Sequence, residues 1–528
     1  MAVRADSARF VPARPMVHRG GPAAPPVSVR NVVFSLVKSR RSMRPQGAAA
    51  LALALGLSGC ASDDKLVLMN AVVLPKTFDV GASGAAPAVS TEWPRLFGSA
   101  ELARLTDATL AGNFDIAAAA ARIAQADAQA TVTESPLFPR LEGSADASRR
   151  MTPGTNRSKT GPFTSSVGNS FGLGVTASYA VDFWGRNRDL ALAGRLNAEA
   201  TRYDRETVAL TALGSVANAY FQVLLAQDRL RLARQNGAIA ENVLAAFRTR
   251  LQVGTATALD VAQQESILAS QRASIPVLEQ TLQQSRVLIA TLAGRTPESL
   301  RVAGGSLDRI KAPAVRPGLP AQLLLRRPDI ASAEARLAAA GANIEAARKA
   351  FFPSLNLTGS AGFESITLAN LLRPEALAAS MAAGLTQPIF NGYQLEGQLQ
   401  QARGRDAELL ADYRKAIVDA LADVENALIA VRQTAEHERL QSAVVASARR
   451  AYQITEERLR EGTIDVVTLL NTQQTLFQAQ DNLTTTRFQR MQALVALFQA
   501  LGGGFERPVS HLPADLQASA ISPVRTDR

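Results

Sequence analysis

The sequence has little of what most enzyme and metal sites are built from. It contains one cysteine, Cys60, and three scattered histidines, His18, His437 and His511, in 528 residues. One cysteine cannot form an internal disulfide or a thiolate cluster for zinc or an iron–sulfur group. Histidines this far apart match no HExxH or paired-histidine motif. Without a nucleophile–base pattern or a phosphate loop either, the sequence disfavours an enzyme and predicts neither a resident metal nor an organic cofactor.

Long apolar runs are missing as well, because no run reaches the 18 or more residues of a mature transmembrane helix. The formal net charge of +11 at first suggests an anionic partner such as nucleic acid. However, residues 1–59 contribute +8 of it, so the rest of the chain carries only +3. A nucleic-acid partner is therefore not expected.

The N-terminal region is typical of an exported lipoprotein. A basic cluster at residues 38–44 precedes a small apolar run at residues 48–57, the order found in signal peptides. The run ends in Leu57-Ser58-Gly59-Cys60, which resembles the lipobox of bacterial lipoproteins. The resemblance implies cleavage after residue 59 and a covalent lipid on Cys60. Residues 1–59 are thus a predicted signal peptide, with Met43 a candidate true start, and Ala61 after the cysteine favours the outer membrane.

The remainder of the chain is internally duplicated. Residues 113–116 align with residues 327–330 at an offset of 214, and Gly254-Thr255 aligns with Gly462-Thr463 at an offset of 208. The difference places about six extra residues in the first copy, and the polar stretch at residues 152–169 is their predicted location. A unit of about 210 residues is too long for a solenoid repeat and predicts a protomer with two similar halves.

Each half has the same predicted order of elements. Alanine-rich helices cover residues 115–134 and 329–349, and very long helices cover 187–252 and 394–460. Each long helix is followed after a glycine by another helix, to about residue 292 and over 463–501. Between the alanine-rich and long helices, apolar residues alternate with small or polar ones over 141–147 and 173–183, and again over 355–363 and 381–385. This period of two indicates strands, whose apolar face would be the core of a soluble sandwich or the lipid side of a membrane barrel.

Four strands cannot close a barrel, and open edges cannot lie in lipid because their backbone groups would stay unpaired. A membrane barrel would therefore be shared between chains. Two chains would give eight strands and a filled interior, whereas three would give twelve strands and room for a pore. The argument predicts a homotrimer.

Three motifs carry a resemblance to a known family. They are Tyr179-Ala180-Val181-Asp182-Phe183-Trp184-Gly185-Arg186, Leu385-Thr386-Gln387-Pro388-Ile389-Phe390-Asn391-Gly392, and the segment from Gly318 to Ile330 that contains Arg326-Arg327-Pro328-Asp329. Over about residues 90–505 the chain resembles the outer-membrane channels of tripartite RND-type efflux systems. These are the TolC/OprM-like family, and the match is to its NodT-like lipoprotein branch.

The resemblance implies a mainly helical fold with a membrane β-barrel: a trimeric 12-stranded barrel continued by an α-helical tunnel in the periplasm. Residues 113–294 and 329–504 would be the two repeats. An equatorial domain would include residues 60–112 (the lipidated segment), 295–328 (a linker) and 505–528 (a tail). The implied partners are two further copies of the chain, a periplasmic adaptor, an inner-membrane RND pump reached through that adaptor, and outer-membrane lipid. Trp184 would lie at the periplasmic membrane interface.

The resemblance also suggests sites at the two helix–helix turns, where family members close the tunnel and meet the adaptor. The docking candidates are Arg250, Leu251, Gly254, Thr255, Arg458, Leu459, Gly462 and Thr463. The gate candidates are Asp260, Asp465, Val467 and Asn471, and each acid has the alternative role of capping a helix. Because Asn471 stands where relatives commonly have Asp, a ring of three copies would lose three charges, and we expect a weaker cation block.

The function implied is a passive exit duct for drugs or other small toxic compounds. One alternative is the same duct serving type I protein secretion. Another, from a different class, is a structural coiled-coil lipoprotein that tethers envelope layers, although it leaves the alternating segments unexplained. The sequence does not name the substrate, the adaptor or the pump.

Overall fold

The structure is a computed structural model that describes residues 74–75, 77–79, 89–153 and 165–507. The predicted signal peptide (1–59), the lipidation candidate Cys60 and the end of the tail (508–528) lie outside the described residues. Everything below concerns the described part of the chain.

The first half begins with a 3₁₀ turn at Trp93–Phe97 and the helix α1, Ala100–Gly112. The helix α2 (Phe114–Glu134) leads into the hairpin of β1 (Arg140–Thr152) and β2 (Ser166–Val181). The long helix α3 (Arg186–Gln252) and its return helix α4 (Ala258–Leu292) complete this half.

The second half repeats this order. A connecting segment with the short helix α5 (Leu323–Arg326) leads to α6 (Pro328–Lys349). The strands β3 (Ser354–Ser365) and β4 (Leu377–Thr386) follow, and then the helices α7 (Gln394–Arg460) and α8 (Val466–Ala500). The bounds of α7 and α8 equal those of α3 and α4 shifted by 208 residues, so the two helix pairs are duplicates.

The predicted strands and long helices are present, with two corrections at their ends. The helix predicted from residue 463 begins at Val466, because Asp465 adopts an extended backbone and caps it from outside. The predicted loop at 152–169 is shorter, because Asn169 pairs with Arg149 and Ser166 with Thr152 in the hairpin. Cross-strand pairing thus extends the strands into a stretch whose composition is that of a loop.

The four strands form one antiparallel sheet in the order β1-β2-β3-β4. The register aligns Leu173 of β2 with Ala145 of β1 and with Phe363 of β3, so the odd-numbered apolar residues of all strands share one face. That face is not a core, since Met381 on it is 93% exposed. The soluble-sandwich alternative is therefore wrong, and within one chain both β1 and β4 are sheet edges.

The main apolar core lies where the middle of α3 meets α8 and the N-terminal segment. The rings of Trp93 and Phe498 stack with centroids 5.1 Å apart, and Phe97 contacts Phe221 and Phe498. Elsewhere the helices approach closely through small side chains, such as Ala200 and Ala331 between α3 and α6. The helix α3 contains a stretch long and apolar enough to span a membrane, but 67% of it is buried among the other helices.

The same joint occurs once in each half, where a return helix ends against the start of an alanine-rich helix. In the first half the Asn113 amide donates to the carbonyl of Leu292 at 2.8 Å, and in the second the Arg327 guanidinium donates to the carbonyl of Ala500 at 3.3 Å. Asn113 and Arg327 each precede their helix, and Leu292 and Ala500 each end theirs. Side-chain donors thus satisfy terminal carbonyls that a helix cannot satisfy itself.

Candidate functional site

The two tips, where α3 turns into α4 and α7 turns into α8, have matching geometry. Gly254 and Gly462 take left-handed backbones with φ of 74° and 73°. The amide of Thr255 donates to the carbonyl of Arg250 at 2.8 Å, and that of Thr463 donates to the carbonyl of Arg458 at 3.0 Å. These bonds close each helix in the way that glycine-terminated helices commonly use.

The side chain of Arg250 connects the two tips by a hydrogen bond. The guanidinium Nη2 of Arg250 donates to the carbonyl of Leu459 at 2.9 Å, near the end of α7. A cation at a helix C-terminus is favoured both by the helix dipole and by the unpaired carbonyls there. This contact joins the two helical hairpins of one chain, and the 208-residue duplication alone does not predict it.

The docking candidates differ in accessibility. Leu459 is only 8% exposed and packs with Phe247 and Leu469 inside the tip, so its side chain offers little surface to a partner. Arg250 is half-buried by its contact with the second tip. The remaining candidates are exposed: Leu251, Gly254, Thr255, Arg458, Gly462 and Thr463.

Both acidic gate candidates cap helices. Asp260 and Thr257 form a reciprocal capping box at the start of α4, in which the Thr257 amide donates to the carboxylate at 2.8 Å. Asp465 accepts from the amide of Thr468 at 2.9 Å and from its hydroxyl. The hydroxyl of Thr468, followed by its amide, lowers the pKa of Asp465 below the usual value. The capping alternative therefore applies to both acids.

The other two gate candidates lie on the first turns of α8. Val467 and Asn471 are both exposed, and a separation of four residues places them on the same helix face. Asp465 and Thr468 lie at the same end, so an apolar, an amide and a carboxylate side chain are all available at this tip. The first turns of α8 can therefore offer both apolar and polar side chains to a neighbouring element.

At the opposite end of α3, Trp184 joins the two halves of the chain. Its indole Nε1 donates to the carbonyl of Pro353 at 2.8 Å, and its ring stacks on Phe352 with centroids 4.8 Å apart. Trp184 remains 43% exposed, so it is not a core tryptophan. An exposed ring with a satisfied indole nitrogen, beside the end of the sheet, suits a membrane–water interface.

The structure also assigns a role to an acid that sequence reasoning did not single out. Asp182 accepts hydrogen bonds from the amides of Asn187 at 2.9 Å and Arg188 at 3.0 Å, at the first turn of α3. Gly185 between them has a φ of 81°, which a side chain would strain. The Asp-Phe-Trp-Gly-Arg motif therefore forms a strand-to-helix corner. The short spacing between Asp182 and the start of α3 is the sequence feature that indicates this corner.

No group of three or more His, Cys, Asp or Glu side chains is placed to hold a metal ion among residues 74–75, 77–79, 89–153 and 165–507. What the described side chains form instead is a set of helix caps, aromatic contacts and interhelical bonds.

Comparison with known proteins gives a consistent result. The sequence model of the family described as "Outer membrane efflux protein" matches residues 105–295 and 319–503. The chain is 40% identical over 417 residues to the pyoverdine export outer membrane protein OpmQ of Pseudomonas aeruginosa, covering 79% of this chain and 88% of that protein. It is 30% identical over 433 residues to the solvent efflux pump outer membrane protein SrpC of Pseudomonas putida, covering 80% and 90%.

The fold is also shared with a solved channel. The open state of the MtrE outer membrane channel of Neisseria gonorrhoeae superposes with a TM-score of 0.73 at 29% identity. The match covers 83% of this chain and 97% of that one. The likeness therefore includes the sheet and the long helices together.

Proposed function

This chain belongs to the outer membrane efflux protein family, and on that premise we propose that three copies of it form the exit duct of a tripartite pump. The chain is an efflux protein of the outer membrane, and its family consists of transporters rather than enzymes. The duct itself would catalyse no reaction and hold no cofactor. An inner-membrane RND pump would supply the work, and a periplasmic adaptor would connect the pump to the duct.

The observation that carries the proposal is the sheet with two open edges and an uncovered apolar face. In lipid the apolar face is favourable, but the unpaired backbone groups of β1 and β4 are not. Pairing β4 of one copy with β1 of the next removes both edges, and three copies give twelve strands, wide enough for a pore. The even-numbered face, where the hydroxyls of Ser360 and Ser380 lie 2.8 Å apart, would line the water-filled interior.

A lipid on Cys60 would add a second attachment to the membrane. A closed twelve-stranded barrel would span the membrane by itself, so the lipid would serve mainly to hold the chain at the membrane before assembly. The predicted domains suit the same arrangement: two repeats at 113–294 and 329–504, while 60–112, 295–328 and 505–528 would form a girdle around the tunnel.

At the tips, the proposed adaptor contact uses the exposed turn residues Gly254, Thr255, Gly462 and Thr463, with Leu251 and Arg458 beside them. Glycine turns leave backbone carbonyls and small surfaces open, which suits close approach by another helical hairpin. The proposed gate is formed by Val467 and Asn471 on α8, with Asp465 and Asp260 at the helix starts. Three copies of Asn471 would form a neutral ring at this point.

The cargo would be a small molecule rather than a folded protein. OpmQ is named for pyoverdine export and SrpC for solvent efflux, so a siderophore-like or a lipophilic compound is the proposed substrate class. The lipoprotein signal, which relatives used for type I secretion usually lack, supports the same choice.

The proposed function can be tested by restoring export in living cells. The full chain would be expressed in a Gram-negative strain that lacks its own channels and carries a matching pump and adaptor, and intracellular dye accumulation would be measured. We expect accumulation to fall only when pump, adaptor and channel are all present. Heat-resistant trimers in the outer membrane without any effect on dye, siderophore or solvent export would contradict the proposal.

A further inference from the structure

One arginine of the sheet differs from every other charged strand residue in the face that it occupies. Arg149 on β1 lies on the odd-numbered apolar face, and its side chain is exposed. The other charged strand residues all lie on the even-numbered face: Arg140, Glu142, Asp146, Arg150 and Glu364. Among the residues that the structure describes, Arg149 has no partner in an ion pair or a side-chain hydrogen bond. A cation without a counter-ion therefore lies on the proposed lipid side.

Two neutral polar residues of the same face accompany this arginine. Arg149 pairs across strands with Asn169 of β2, and Ser365 of β3 pairs with Phe171, the next odd-numbered residue of β2. We call Arg149, Asn169 and Ser365 the polar row. Apart from Tyr179, the remaining odd-numbered strand residues are apolar or glycine. Cross-strand Cβ atoms lie about 4.5–5.5 Å apart, so the guanidinium of Arg149 and the amide of Asn169 can contact one ligand.

The polar row lies at the end of the sheet that is remote from the helices. The helix α2 precedes β1 at Arg140 and α3 follows β2 after Val181, so the helices join the opposite end. The ten residues from Val181 to Phe171 rise by roughly 25 Å at about 3.4 Å per residue and a tilt of about 40°. Lipid-facing bands of bacterial barrels have this height. Asn169 and Arg149 therefore lie just past the outer edge of the band.

Further copies of the chain do not provide the missing counter-ion. In a homotrimer every neighbouring strand is again one of β1 to β4, and the odd-numbered faces of these strands contain no carboxylate. Residues 153–165, between β1 and β2, contain no acid in the sequence. The β3–β4 connection contains one acid, Glu375, and one base, Arg373, so it adds no net negative charge. The anion that faces Arg149 is therefore expected from the membrane.

We infer that Arg149 and Asn169 bind a phosphate group of lipid A, the phosphorylated glycolipid of the external leaflet of the outer membrane. The inference rests on the proposed outer-membrane duct and adds a specific lipid to it. A guanidinium forms charge-assisted, often bidentate hydrogen bonds with phosphate, and the amide of Asn169 adds two donors. Lipid A has its phosphates directly above its acyl chains, which is the level of the polar row. Phospholipids of the inner leaflet have theirs at the opposite end, near Trp184.

The surface below the polar row suits the acyl chains of the same lipid. Leu173 and Val175 of β2 lie on the odd-numbered face and are 45% and 52% exposed. A cationic group at the edge of an apolar band matches an amphiphile with an anionic head, whereas a free phosphate ion would use only the polar row. The site therefore selects a lipid.

Lipid binding to purified trimers tests the inference. Trimers of the full chain would be extracted from outer membranes, mixed with lipid A in detergent and analysed by native mass spectrometry. We expect bound lipid A on the wild type, and removal of the lipid phosphates should abolish most of this binding. Arg149→Gln should weaken lipid A binding by roughly tenfold, as for the loss of a charge-assisted hydrogen bond. Arg150→Gln is the matched control, because it removes the same charge one residue away on the even-numbered face.

Several results would overturn the inference. Equal binding of lipid A by Arg149→Gln and the wild type is one, and equal losses in the Arg149 and Arg150 variants are another, since only total charge would then matter. Phosphatidylglycerol that binds as tightly as lipid A, with the same dependence on Arg149, would show a general phospholipid site instead of a site for lipid A. Inorganic phosphate that displaces lipid A would likewise show that the acyl chains contribute nothing.

A conservative variant separates the geometry of the guanidinium from its charge. Arg149→Lys retains the charge but loses the bidentate donors, so its lipid A binding should fall between those of the wild type and Arg149→Gln. If Arg149→Gln yields no trimers, the comparison of lipid A with its dephosphorylated form on the wild type decides, and equal retention of the two lipids contradicts the inference. Wild-type trimers that support export without preferring lipid A would overturn the inference alone, whereas a wild type that forms no trimers would overturn the duct as well.

Discussion

At the residue scale, single glycines allow backbones to touch at the duplicated joints. A Cβ on Gly294 would lie 1.8 Å from the carbonyl oxygen of Gly112, and one on Gly502 would lie 1.8 Å from that of Arg326. Both glycines have positive φ, 64° and 87°. Each position thus requires glycine for two separate reasons, conformation and space.

We expect Gly502→Ala to destabilise the chain by more than the roughly 1–2 kcal/mol that a left-handed alanine costs, because the backbone must also move. Gly237→Ala is the matched control, since a Cβ there meets nothing within 4 Å and alanine favours the helix by roughly 0.5–1 kcal/mol. Helix unfolding followed by circular dichroism against temperature measures both. Equal midpoints for the two variants would show that the close approach is relieved at little cost.

The tip offers a second test of one residue. In Asn471→Asp, three carboxylates would meet around the proposed gate, so divalent cations should bind there and block single-channel currents more strongly. Asn482→Asp, on the same helix but 11 residues from the gate, serves as the control. If the block by divalent cations is unchanged in purified Asn471→Asp trimers, the assignment of Asn471 to the gate is wrong.

At the scale of elements, each tip helix is capped in its own way. α4 starts with the Thr257–Asp260 capping box, whereas α8 depends on the single carboxylate of Asp465. Because hydrogen bonds from Thr468 lower the pKa of Asp465, the folded cap holds its proton less tightly than the unfolded chain does. The stabilisation is therefore present above the ordinary aspartate pKa, and it is lost as the pH falls through the lower folded value.

We therefore expect the first turn of α8 to fray in acid, at a pH below 3.8, the usual value for this carboxyl. Hydrogen exchange at the amides of Thr468 and its neighbours would measure the loss of protection. Asp465→Asn is the control, because asparagine caps helices about as well and does not titrate. If the Asn variant loses protection at the same pH as the wild type, the carboxylate is not the cause.

At the scale of the whole molecule, the sheet determines what the chain can become. One face carries apolar side chains and the other carries small or polar ones, and both faces are exposed in one copy. Contacts within one copy therefore do not distinguish the two faces; only the surroundings do. Met381 lies on the apolar face and its neighbour Ala382 on the opposite one. Along each strand, successive side chains would therefore face lipid and water in turn.

This difference predicts unequal effects of the same charge. Met381→Lys places an ammonium on the proposed lipid side near mid-height and should cost about 2–4 kcal/mol. Ala382→Lys faces the proposed water-filled interior and should be tolerated. The fraction of heat-resistant trimers recovered from outer membranes compares the two variants, and equal recovery would show that the odd-numbered face does not contact lipid.

The sequence alone predicted the strands, the long helices and the two turns, since each depends on local periodicity or on a fixed offset between copies. It did not predict that Leu459 is buried, that Arg250 binds the carbonyl of Leu459, or that Trp184 donates to Pro353. The two hydrogen bonds join residues 169 or more positions apart, and composition does not indicate which distant residues pair. Whether an acid at a tip caps a helix also depends on the backbone position around it, which composition and spacing do not determine.

The sequence by itself determined that the chain is duplicated, mostly helical, and unable to close its own sheet. The reason is that the repeat length, the period of apolar residues and the number of strands all follow from the order of residues along the chain. Only the tertiary structure decided which copies of a repeated residue are buried and which are exposed. Phe221 and Ile429 occupy equivalent positions of the repeat, but Phe221 is buried against α8 whereas Ile429 is 43% exposed in the described part of the chain, because burial depends on which distant segments pack together and not on the order of residues.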